Sequence, residues 1–194
     1  MKGVQELSSK KSRLTALIFI GIAAVLITVD RLTKMWVVAN VGYRTRISGI
    51  RIGGTELVDI THIHNDGAAF GILSGMQTLL ITITSVFLVA ALVVLFSGKV
   101  KCRWIMTSIS LIIAGGVGNL IDRVAQGYVV DFIELRFINF AIFNFADICA
   151  VVGAFLLLFV VVIDEIKTFK ARKSDEQLTI DNGQLTVNET ENDD

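Results

Sequence analysis

Residues 76–96 read MQTLLITITSVFLVAALVVLF, an apolar run without one Asp, Glu, Lys or Arg. At about 1.5 Å of helical rise per residue, a run of this length crosses the hydrocarbon core of a bilayer. A water-facing helix would carry a charged face, and this segment has none. Moving outward, three more stretches have the same character: 14–39, broken near its end by Asp30, Arg31 and Lys34, then 104–121 and 148–163. The composition agrees, with 53% hydrophobic and only 19% charged residues in a chain of 194. The expected class is an integral membrane, all-α protein with four transmembrane helices. The basic start (Lys2, Lys10, Lys11, Arg13) is followed by an apolar run too long for a cleaved leader, so it reads as a retained first span.

Lys and Arg near the span ends give the orientation. The N-terminal segment carries the four just named. The 97–103 turn carries Lys99, Lys101 and Arg103, and the segment after the fourth span carries Lys167, Lys170, Arg172 and Lys173. The opposite side has Arg44, Arg46, Arg51 and Arg136, with Arg31, Lys34 and Arg123 near span ends. Both termini are therefore expected in the cytoplasm, with segments 41–75 and 124–146 outside. Alternation at Ile47, Ile50, Ile52, Val58 and Ile60, with glycines at 49, 53 and 54, predicts two or three short strands within 44–64. Such a sheet would have to rest on the helices or the lipid surface. Residues 1–173 then form the membrane domain. Residues 174–194 hold seven acidic side chains and no Lys or Arg, and read as a disordered cytoplasmic tail. Cys102 and Cys149 fall at opposite ends of the spans and cannot pair.

The polar residues at membrane depth collect at one end of the spans. Asp30 and Lys34 are four apart and share a helix face, which suits an interfacial ion pair as well as a site. His64-Asn65-Asp66-Gly67-Ala68-Ala69-Phe70-Gly71 leads into the second span, and by itself is an ordinary capped turn or a place for close backbone approach. In Gly115-Gly116-Val117-Gly118-Asn119-Leu120-Ile121-Asp122-Arg123 the glycines suit helix packing, while Asn119 and Arg123 share a face. Asp122 beside Arg123 suggests a structural pair.

Asp131 and Asp147 bracket an apolar stretch with Phe132, Ile133, Phe143 and Phe145 beside them. Buried carboxylates are costly unless something uses or neutralises the charge. Two in proximity cannot both ionise easily, so one holds a proton while the other acts as base. In isolation, each could equally cap a helix or meet an arginine. His62 and His64 lack the further ligands that a metal site needs.

Taken together, Asp30…Lys34, Asn65-x-Gly-Ala-Ala-Phe-Gly, Gly-Asn119-x-x-Asp-Arg123, Val-Val-Asp131-Phe and Phe-Asn144-x-Ala-Asp147 resemble the lipoprotein signal peptidase family, in the right order. The resemblance implies a four-helix aspartyl peptidase of the bacterial inner (cytoplasmic) membrane, with a small extracytoplasmic β-sheet cradling the substrate near the outer face. It implies removal of the signal peptide from diacylglyceryl-modified prolipoproteins, on the N-terminal side of the lipidated cysteine. It makes Asp131 and Asp147 the catalytic pair and Asn65, Gly67, Asn119, Arg123, Asn144, Asp30 and Lys34 substrate-binding, with Asp122 a rival for the catalytic place. No metal or cofactor is implied; the expected partners are the lipidated substrates and membrane lipids, not nucleic acid. The competing class is a small multispan transporter or channel subunit, which would spread its charges through the membrane depth.

Overall fold

A computed structural model describes residues 2–68 and 71–191, with side chains at 13–68 and 71–173. Ala69 and Phe70, two members of the Asn65 motif, lie outside the described residues. The elements run α1 (Lys2–Asn40), β1 (Arg46–Ile52), β2 (Thr55–Asn65), α2 (Gln77–Phe96), α3 (Arg103–Gln126), β3 (Val129–Leu135) and α4 (Phe145–Glu191). Among the described residues, four helical stretches are long and apolar enough to cross a membrane: Arg13–Asn40, Gln77–Phe96, Arg103–Gln126 and Phe145–Lys173. Along α2 only Leu80, Leu88 and Leu95 are buried, so nearly all of its apolar surface is left for lipid. α3 is the most enclosed, with ten buried residues that include Ser108, Ser110, Asn119 and Asp122.

α3 runs five residues past the expected end at 121. It stops where Gly127 takes a left-handed φ of 79° and its amide donates to the Arg123 carbonyl, a helix-ending geometry that glycine adopts without strain. The compact units are Met1–Leu156 and Leu157–Asp194. Residues 174–191, expected as disordered, continue α4; a helix already nucleated adds residues without paying for a new first turn. Residues 192–194 lie outside the described residues.

The sheet has the order β1-β2-β3, antiparallel throughout. β1 and β2 meet at Gly53 and Gly54, both at positive φ, as a two-residue hairpin requires. The third strand is not drawn from 44–64 but from 129–135, which places Ile63 opposite Asp131 and Asn65 opposite Val129. Val130 and Phe132 pack on Val37 of α1 and on Val41 just past its end, while Val129 and Asp131 turn to the other face. β3 therefore buries both faces at its start, and the polar alternation that marked β1 and β2 is missing from it.

Small residues let α3 and α4 touch. A Cβ on Gly115 would lie 2.3 Å from the Ala146 carbonyl oxygen and 2.7 Å from the Ala150 amide nitrogen, and one on Gly153 would lie 2.8 Å from the Ser108 carbonyl oxygen. Those neighbours are backbone and cannot give way. Gly115→Ala is accordingly expected to force α3 and α4 apart, at a cost of about 1–3 kcal/mol, and to lower both the melting temperature in detergent and the activity. Gly21→Ala, with nothing within 4 Å of the new atom, should leave both unchanged.

Candidate active site

The first turn of α4 begins inside the protein, and three side chains satisfy it. The Ala146 amide donates to Asp30 Oδ1 at 2.9 Å. The Asp147 amide donates to Asn144 Oδ1 at 2.9 Å, and the Asn144 amide donates back to Asp147 Oδ2 at 3.0 Å. The last two bonds form a reciprocal capping box. Asp147 is thus fixed three residues into a helix whose N-terminus favours negative charge. Its other oxygen, Oδ1, accepts from Asn119 Nδ2 at 2.7 Å.

Asp131 comes to the same place from β3. Its Oδ1 accepts from Asn144 Nδ2 at 2.6 Å and its Oδ2 from Asn65 Nδ2 at 2.8 Å. Asn65 is held in turn by the Gly67 amide, which donates to its Oδ1 at 3.0 Å. Asn144 therefore touches both aspartates, is fully enclosed, and spends every polar atom of its side chain. Both carboxylates line a cavity of about 460 Å³ together with Asn65, Asn119, Arg123 and an apolar wall that includes Ile142, Phe143, Ala150 and Val151. Burial pushes the Asp131 carboxyl up to about 7; the neighbouring Asp147 charge adds to the rise, and the Asn65 and Asn144 amides oppose it.

Behind Asp147 lies a buried charge cluster. Lys34 Nζ forms ion pairs with Asp30 Oδ2 and Asp122 Oδ2, each at 2.9 Å, and donates to Asn119 Oδ1 at 3.0 Å. Asp122 also meets Arg31 and accepts weakly from the Val130 amide at 3.4 Å. The expected pairing of Asp122 with Arg123 does not form. On a helix, neighbouring residues point in different directions, and Arg123 instead donates from Nη2 to the Gly67 carbonyl at 2.9 Å. Arg31 is the partner that sequence reading missed; its only signal was a position beside Asp30, about two turns from the span end.

Of the residues singled out in the sequence, Asp131, Asp147, Asn65, Asn119 and Arg123 line one cavity. Asn144 lies under it, and Gly67 supplies a carbonyl to Arg123. Asp30 and Lys34, expected to touch substrate, are 1% exposed and face one another, not the cavity. Asp122 borders a separate hollow with Arg31, Lys34 and Gln126. No cluster of three or more His, Cys, Asp or Glu suited to a metal occurs among the described residues.

Four membrane-length helices, with buried Asp131 and half-buried Asp147 lining one cavity, suit a membrane-embedded peptidase of the aspartic class. Residues 22–163 match the family model described as signal peptidase (SPase) II, and the chain belongs to that family. The lipoprotein signal peptidase of Lactococcus lactis subsp. lactis (strain IL1403) is 41% identical over 164 residues, covering 82% of this chain and 99% of the relative. That of Streptococcus pneumoniae (strain ATCC BAA-255 / R6) is 41% identical over 145 residues, covering 75% and 92%. Among solved structures, a bacterial membrane enzyme superposes with a TM-score of 0.70 at 31% identity, covering 78% of this chain and 89% of its own. A second gives 0.65 at 32% identity.

The raised Asp131 carboxyl has a consequence for stability. Folding takes up a proton wherever the folded group is protonated and the unfolded one is not, between its ordinary 3.8 and about 7. The contribution of Asp131 is present in full below that window and is lost as pH rises through about 7. The melting temperature in detergent should therefore fall from pH 5 to 8 more steeply for the native chain than for Asp131→Asn, which carries no charge at any pH.

Proposed function

We propose that Asp131 and Asp147 hydrolyse the peptide bond that joins a signal peptide to a diacylglyceryl-modified lipoprotein, on the N-terminal side of the lipidated cysteine. The observation that carries this reading is that both carboxylates line one cavity and are fixed by the same asparagine, Asn144. The ionised member takes a proton from a water molecule as its oxygen attacks the scissile carbonyl. The protonated member supports the carbonyl oxygen, and a proton then reaches the leaving nitrogen as the C–N bond breaks. Asn65, Asn119 and Arg123 present polar atoms to the peptide, and the apolar wall suits a substrate that arrives with acyl chains. The names borne by the relatives support the same substrate class.

The arrangement of Lys and Arg supports both termini on the cytoplasmic side of a bacterial cytoplasmic membrane, with the cavity near the outer face. Cys102, half-buried at the start of α3, would then face the cytoplasm. An impermeant thiol reagent should label it in inverted vesicles and not in intact cells; the reverse pattern would invert the topology.

With purified protein and a diacylglyceryl-modified prolipoprotein, Asp131→Asn and Asp147→Asn are each expected to slow cleavage by about 10²- to 10⁴-fold while the protein stays folded. A divalent-metal chelator should leave the rate unchanged. Asp122→Asn should cost at least about tenfold less than either; a loss as large as theirs would give Asp122 the catalytic place.

A further inference from the structure

The polarity of the hydrogen-bond network is set from outside the cavity. An asparagine amide can be turned either way, and nothing in its own shape decides which end faces a partner. A lysine ammonium can only donate. Because Lys34 Nζ lies 3.0 Å from the Asn119 side chain, the oxygen must face the lysine and the NH2 must face Asp147, which it reaches at 2.7 Å. The same Asn119 oxygen accepts from Asn144 Nδ2 at 3.0 Å. That fixes the Asn144 NH2 toward Asp131 and leaves its oxygen for the Asp147 amide. One buried cation thus dictates the orientation of both asparagines that hold the aspartates.

The network also treats the aspartates unequally. Each aspartate receives N–H donors on both oxygens, but Asp147 alone lies at a helix N-terminus and has Lys34 one amide away. Asp131 lies on a strand and has no comparable dipole. The charged and titratable groups around this pair are Asp30, Arg31 and Lys34 from α1, Asp122 and Arg123 from α3, and the aspartates themselves from β3 and α4; β2 contributes the neutral Asn65. Asp30 and Asp122 also pair with Lys34 and so hold its ammonium in place.

We propose that Lys34 is a positioning residue: through Asn119 it orients the amides around the catalytic pair and holds Asp147 as the ionised member, leaving the proton on Asp131. This rests on the assignment of Asp131 and Asp147 as that pair. It assigns Lys34 and Asp30 no contact with substrate, and so separates them from Asn65 and Arg123.

The test is steady-state kinetics against pH for the full chain in detergent or vesicles. The single variant Lys34→Met leaves two carboxylates short of a partner, so Lys34→Met/Asp122→Asn, which removes one charge of each sign, is measured beside it. In whichever folds, kcat should fall by about 10- to 100-fold with KM within about a factor of three, and the acidic limb of the kcat profile should move to higher pH by about one unit. Asn119→Ala, which removes the relay's own bond to Asp147 and leaves the ion pairs, should move the limb in the same direction, and an unmoved limb there overturns the proposal even if neither lysine variant folds. A folded variant with native kcat and an unmoved limb, or one altered in KM alone, overturns the proposal. Asp131→Asn and Asp147→Asn are assayed in parallel. If they keep activity, the assignment of the pair fails; if they are inactive while the relay variants behave as the native chain, only the positioning role fails.

Discussion

The first amides of α4 emerge inside the protein, where neither water nor lipid can accept their hydrogen bonds. Each buried N–H left open would cost about 1–3 kcal/mol. Asp30 and Asn144 take up the amides of Ala146 and Asp147, and Asp147 accepts from Asn144 in return. Each of these bonds also places a functional group. Satisfying the helix end brings α1 to α4, sets Ile142 and Phe143 along the cavity wall, and places Asp147 in the same cavity as Asp131. The glycines of α3 make this possible, since a side chain at 118 would collide with Asp30 Oδ2 and Ala146 Cβ.

The charges behind the cavity follow the same logic. Lys34, Asp30 and Asp122 are each 1% exposed, a placement that isolated charges do not survive at membrane depth. Each has a partner, and the ammonium suits the middle position because its donors spread in three directions, where a planar guanidinium would need coplanar acceptors. Arg31, at the more open edge, closes the cluster on Asp122. Charge is balanced there, two cations against two carboxylates, before Asp147 and Asp131 are considered. In the proposed mechanism Asp131 and Asp147 are left to divide one proton between them.

Much of this was legible in the chain. The four spans follow from uninterrupted apolar runs, the hairpin from Gly53–Gly54 between alternating segments, and the Asp30–Lys34 pair from its four-residue spacing. β3 was not legible as a strand. Val129 to Phe132 is buried on both faces, so it shows no alternation, and a run that short reads equally as part of a helix or a linker. The link between Asp122 and Lys34 was hidden because it joins α1 to α3, and adjacency to Arg123 suggested a nearer partner. Asn144-x-x-Asp147 does carry a capping signature in its spacing. What the spacing could not tell is that the asparagine also reaches a second aspartate on a strand before it. The helical course of 174–191 departs from the composition, which is acidic and poor in large apolar residues.

Which aspartate holds the shared proton can be read directly from the carboxyl stretch in the infrared. The native protein at pH 5.5 should show a protonated carboxyl band in a low-polarity setting that disappears in Asp131→Asn and persists in Asp147→Asn. Loss of the band in Asp147→Asn with retention in Asp131→Asn, or no such band in the native protein, would contradict the account.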